Sequence, residues 1–158
     1  LTNGAVPMGA VGVRGAIYDA VVNGATGGGI EFFHGYTYSG HPLAAAAGLA
    51  TLDVYEGEGL FDRARELGAY WEDAVHSLKG LPHVIDIRNM GLVAAVELAS
   101  RPEAPGARAT EVFHRAFDEG ALIRVTGDVI ALSPPLIISR EQIDELIGRL
   151  AGILCDTP

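Results

Sequence analysis

A chain of 158 residues, 49% of them hydrophobic, can bury a sizeable core and suits one domain or parts of two. The 11 basic groups against 20 acidic ones leave a net charge of -9, the wrong sign for a face that grips nucleic acid or an anionic membrane, so small molecules are the expected partners. One cysteine, Cys155, leaves no internal disulfide, and neither a run of roughly 20 apolar residues nor a charged-then-apolar leader is present, so the expected compartment is the cytoplasm.

Taken in chain order, Gly4 to Val13 reads as a buried strand whose small residues allow close backbone approach. A structured segment so close to Leu1 is expected of part of a longer protein. Arg14 to Asn23 predicts a short helix ended by Gly24, followed by a flexible loop through Gly29. Pro42 suits a first helical turn, where its missing N–H costs nothing, and Leu43 to Tyr55 follows as an alanine-rich helix punctuated by Gly57 and Gly59. Leu60 to Leu78 predicts a second helix with Phe61, Ala64, Leu67, Trp71 and Val75 along one face. Lys79-Gly-Leu-Pro82 closes it.

From His83 the pattern changes to short strands: Val84 to Ile87, a turn at Arg88 to Gly91, and Leu92 to Leu98. Arg101 to Gly106 is a loop, Ala107 to Glu119 a helix stopped by Gly120, and Leu122 to Val125 and Val129 to Leu132 are strands around Thr126-Gly-Asp128. Ser139 opens a capping box with Gln142, and Ile143, Leu146, Ile147 and Leu150 stripe a terminal helix. Helices alternating with strands imply an α/β or α+β arrangement.

Chemistry concentrates in the run His34-Gly-Tyr-Thr-Tyr-Ser-Gly-His-Pro42. Two glycines, two small hydroxyl residues and a helix start are the ingredients of an anion site, and equally of a tight turn with a capped helix. His34 and His41 flank this turn without the cysteine or carboxylate pattern of a metal site, so packing or hydrogen bonding is their expected role. Gly27 to Gly29 lacks the Gly-Lys-Ser/Thr ending of a nucleotide loop. Arg124, between Ile123 and Val125 in a short strand, would by itself be a surface residue with its stem on apolar neighbours. Cys155, with no histidine near it in sequence, reads as packing.

Four segments together carry a resemblance: Thr2-Asn-Gly-Ala-Val-Pro-Met-Gly-Ala10, His34 to Pro42, Val84-Ile-Asp-Ile-Arg-Asn-Met-Gly-Leu92 and Arg124-Val-Thr-Gly-Asp128. Their order resembles that in class III, pyridoxal-phosphate-dependent aminotransferases, and most of all the omega-amino acid:pyruvate group that includes beta-alanine:pyruvate enzymes. The resemblance covers nearly the whole chain. It implies an α/β fold of type I, with residues 1–52 ending the large cofactor-binding domain and residues 53–158 forming the small C-terminal domain.

The resemblance also implies pyridoxal 5'-phosphate as cofactor, and transamination from an omega-amino acid or amine to pyruvate. The Schiff-base lysine would lie about two residues upstream of Leu1; the sole lysine here, Lys79, is in a turn. Thr37 resembles the threonine that holds the cofactor phosphate of the neighbouring subunit, with Gly35 and Tyr36 lining the same site; ordinary interface or core packing is the other reading of Tyr36 and Tyr38. The active site would then be shared within a homo-oligomer, dimer or tetramer. Arg124 aligns with the mobile arginine that meets the substrate carboxylate, a task suited to the planar guanidinium fork. Arg88 resembles a structural arginine before the Gly91 turn, with a substrate role as the other reading. Two other readings are a non-catalytic remnant that keeps a dimerisation or binding surface, and a related cofactor reaction such as an aminomutase or decarboxylase.

Overall fold

The computed structural model describes residues 1–24 and 37–158. These form two compact units, Leu1–Glu58 and Gly59–Pro158. Among the described residues no helix is long and apolar enough to cross a membrane.

In the first unit, helix α1 (Gly15–Asn23) and helix α2 (Pro42–Gly57) are the regular elements among the described residues. Gly4 to Val13 is not a strand: a turn at its start is closed by the Ala5 N–H to the Thr2 carbonyl at 2.9 Å, and the rest lacks regular structure and lies mostly exposed. Small apolar residues suit a strand only where a neighbouring strand takes their N–H and C=O groups, and none of the described residues of this unit does so. Helix α2 starts on Pro42 and runs through alanines and leucines, yet Ala44 is its only buried residue in this unit. Apolar residues thus ring the helix with little to cover them.

The second unit closes a core of its own. Helix α3 (Leu60–His76), strands β1 (Val84–Met90) and β2 (Val93–Leu98), helix α4 (Ala107–Asp118), strands β3 (Arg124–Thr126) and β4 (Val129–Leu132), and helix α5 (Arg140–Asp156) follow in order. The strands form one antiparallel sheet in the order β1-β2-β4-β3. Its inner face presents Ala94, Val96, Leu98, Ile130 and Leu132 to the buried faces of the three helices. Trp71 of α3, Val112 of α4 and Ile143 and Leu150 of α5 fill that layer.

Several elements differ in detail from their sequence reading. Strand β1 runs on to Met90, because Arg88 faces out and Asn89 faces in, which keeps the alternation of a strand. The inward amide is satisfied by the His76 ring nitrogen Nε2 at 3.0 Å and by Glu72. The turn is therefore Gly91-Leu92, with Gly91 at φ 56, which favours glycine at the first position of a two-residue hairpin loop. On α3 the core takes Leu60, Leu67, Trp71 and Val75, whereas Phe61 is exposed. Cys155 also faces outward, because Ile153 and Leu154 take the buried positions of the last turn of α5.

Helix α5 begins on the expected capping box: Ser139 Oγ accepts the Gln142 N–H at 3.2 Å and Gln142 Oε1 accepts the Ser139 N–H at 2.9 Å. It is tied to α3 by Tyr70, whose hydroxyl donates to Asp144 at 2.6 Å, a bond that pushes the phenol above its usual pKa. Its far end meets arginines from α4 and the preceding loop. Arg101 and Arg108 donate to the Pro158 oxygen and Arg115 to the Asp156 carbonyl, and Glu111 pairs with both Arg101 and Arg115 at 2.8 Å.

Candidate functional site

Gly35 and Tyr36 lie outside the described residues, as do His34 and Gly27 to Gly29. Thr37 opens the turn Thr37-Tyr-Ser-Gly40, which is exposed and leads through Gly40 (φ +70) into α2. Among the described residues the Thr37 hydroxyl has no hydrogen-bond partner. The helix start is partly engaged: Pro42 has no N–H to offer, and His41 Nδ1 accepts the Ala44 N–H at 3.3 Å. His41 is thus a hydrogen-bonding cap.

Beside the turn, Val6 to Val11, residues 37–41 and Ala44 and Ala45 line an open cleft of about 1050 Å³. One close approach shapes this wall. At Gly48 a β-carbon would stand 3.3 Å from the Met8 sulfur, so the missing side chain lets Met8 lie against the helix. Tyr38 is 85% exposed within this unit and packs into no core there.

Arg124, in the second unit, is the first residue of β3, at the edge of the sheet. Directly opposed residues share a face, so the pairings Arg88↔Ala95, Ala95↔Ala131 and Arg124↔Ala131 place Arg88, Ala95, Ala131 and Arg124 in one row on the outer face. Arg124 is exposed. The other arginines of this unit are engaged by carboxylates, carbonyls or, for Arg140 at 4.8 Å over Tyr70, an aromatic ring. Arg124 alone has no such partner among the described residues.

Arg88, at the other end of the row, differs in this respect. Its Nη1 lies 2.6 Å from Asp86 and 2.8 Å from Glu97, and these bonds, Glu97 first, raise its pKa further above an already high value. Asp86 and Glu97 oppose each other across the strands, and Arg88 cancels their repulsion. Within this unit Arg88 thus ties β1 to β2 through its ion pairs.

Asp128 was legible only as part of a turn. Its carboxylate accepts the Gly106 N–H at 2.9 Å, and its carbonyl accepts the Leu98 N–H at 2.9 Å. Glycine before a helix with no capping side chain was the signal available, but the partner stands 22 residues away and sequence does not pair them.

Residues 1–154 match the family described as aminotransferase class-III. The chain is 60% identical over 154 residues to an omega-aminotransferase of Caulobacter vibrioides and 42% identical over 155 residues to a beta-alanine--pyruvate aminotransferase of Pseudomonas aeruginosa. Each match covers 98% of this chain and 35% of the relative, so the chain spans about a third of the length of these proteins. The crystal structure of a thermostable (S)-enantioselective omega-transaminase from Thermomicrobium roseum superposes with a TM-score of 0.84 at 34% identity, over 98% of this chain and 35% of that one. With the family matched over residues 1–154 and the fold shared at that identity, the chain belongs to the class-III aminotransferases.

Proposed function

We propose that this chain is the C-terminal part of a pyridoxal-phosphate-dependent aminotransferase that moves an amino group from an omega-amino acid or amine, such as beta-alanine, to pyruvate, giving alanine. The observation that carries the reading is the exposed Arg124, the one arginine of its unit left without a partner among the described residues. A guanidinium kept free of its own protein's carboxylates is available to a substrate carboxylate, which its two parallel N–H groups can hold bidentately. The same side chain can turn away when the pocket takes an amine that has no carboxylate at that position.

The Thr37 hydroxyl, without a partner among the described residues, is a donor suited to a phosphate group, and the family resemblance assigns Gly35 and Tyr36 to the same site. In this reading Thr37 serves the cofactor of the neighbouring subunit, so the enzyme works as a homo-oligomer, dimer or tetramer, in the cytoplasm. Bound pyridoxal phosphate supplies the electron sink that lets an amino group leave its carbon skeleton. Residues 1–52 end the large domain and residues 53–158 form the small one. The part of helix α2 before Asp53, rich in alanine and leucine and buried within this unit only at Ala44, supports the assignment of residues 1–52 to a larger body.

The test is borohydride reduction of the full-length protein followed by peptide mapping. A pyridoxyl group on a lysine just upstream of Leu1 is the expected result. A full-length chain that carries no pyridoxyl group would overturn the reading and leave the fold to a non-catalytic role.

A further inference from the structure

We propose that Asp128 is a positioning residue for carboxylate recognition, fixing the β3–β4 hairpin, and with it Arg124, against the start of α4. The inference rests on the reading of Arg124 given above. Strand β3 has only three residues, sits at the sheet edge and pairs with β4 alone. A strand so short is held by what holds its turn.

Three contacts do so. The Asp128 carboxylate takes the Gly106 N–H at 2.9 Å, at the N-cap of α4, where Gly106 has no side chain to cap with and the first helical turn has no acid. The carboxylate therefore acts as a cap supplied from another element, with the helix dipole adding to the bond. The Asp128 carbonyl takes the Leu98 N–H at 2.9 Å, which extends the ladder between β2 and β4 into the turn. Finally, the turn rests on Gly106 itself: a β-carbon there would meet the Gly127 carbonyl oxygen at 3.4 Å, and Gly106 has φ +80. Backbone lies against backbone, with no flexible side chain between to absorb a shift.

Arg124 has the opposite character at its tip, where no partner among the described residues orients the guanidinium. Its reach is set by where its Cα stands, and that is set by the hairpin. Displacement of a binding group by about 1 Å can cost around 100-fold in rate, so loosening the tether is expected to weaken carboxylate capture without touching the group that performs it.

The experiment uses the full-length holoenzyme with Asp128→Ala, Asp128→Asn, Arg124→Ala and the double substitution. It reads kcat and KM for pyruvate and for an aldehyde acceptor without a carboxylate. Asp128→Ala should raise the pyruvate KM about ten-fold while the aldehyde KM stays within about two-fold. Asp128→Asn, whose amide oxygen still accepts the Gly106 N–H, should restore most of the loss, and Asp128→Ala should add nothing in the Arg124→Ala background. If Arg124→Ala raises the pyruvate KM and Asp128→Ala does not, the positioning role is wrong and the carboxylate reading stands. If Arg124→Ala leaves it unchanged, both fall. Should Asp128→Ala fail to fold, Asp128→Glu keeps the charge while displacing the turn; an unaltered ratio of the two KM values would again overturn the proposal.

Discussion

The outer face of the sheet ends in an arginine at each edge, and the protein treats the two in opposite ways. Arg88 on β1 is clasped by Asp86 and Glu97, while Arg124 on β3, in the same cross-strand row, is left open. Residue type, exposure and strand register are alike. What differs is the local supply of carboxylate: the row next to Arg88 carries two acids, and the corresponding positions beside Arg124 are Thr126 and Val129. A surface arginine becomes part of the scaffold where the chain provides its counter-ion, and is left open to one from outside where the chain withholds it.

The contrast requires one firm sheet beneath both residues, and that is its most breakable point. Ile130 is fully buried on β4, opposed to Val96 on one side and Val125 on the other. Ile130→Ala should lower unfolding stability by about 2–5 kcal/mol in urea titration and so disturb both edges together. Arg124→Ala sharpens the comparison, since it should leave the urea midpoint in place while kcat/KM for pyruvate falls about 10- to 100-fold, as expected for loss of a charge-assisted contact.

A pH series separates the engaged arginines from the free one. The Glu111 carboxyl lies below its usual pKa, first because Arg101 hydrogen-bonds to it and then through the charges of Arg101 and Arg115. A lowered carboxyl pKa contributes stability that is present above the ordinary value of about 4.3 and is lost as pH falls through the lower, folded value. Melting curves from pH 6 downward should show that acid loss in the parent and in Arg124→Ala alike, with a shallower fall in Glu111→Gln. The smallest effect is expected from Arg88→Ala: a modest drop in Tm at low salt as Asp86 and Glu97 face each other uncompensated, largely erased at high ionic strength. A pyruvate KM that moved in this variant as far as in Arg124→Ala would dissolve the distinction between the two edges.

Much of this architecture was legible because local rules agree there. The Ser139–Gln142 box, the Pro42 helix start and the Gly127 hairpin each announce themselves within a few residues. The misreadings share a different cause. Gly4 to Val13 has the composition of a strand but finds no pairing partner among the described residues of its unit, and Phe61 has the right chemistry one position away from the buried Leu60. At the site, Arg124 could be singled out by resemblance, whereas its freedom from counter-ions and its dependence on Asp128 are properties of pairings between distant residues. The Asp128 tether to Gly106 spans the whole of α4 and the β3 strand, so no window along the chain contains its meaning.

Between the two arginines of that outer row stand Ala95 and Ala131, each ending in a single methyl group. Arg124 therefore meets only methyl groups from its cross-strand neighbours, and an arginine side chain free in solvent carries roughly 2 kcal/mol of conformational entropy. Capturing a carboxylate would surrender that freedom. If Arg124 is the carboxylate contact proposed, the association is expected to be favourable in enthalpy and opposed in entropy, which would hold the affinity down and let a carboxylate product leave as readily as its precursor arrived.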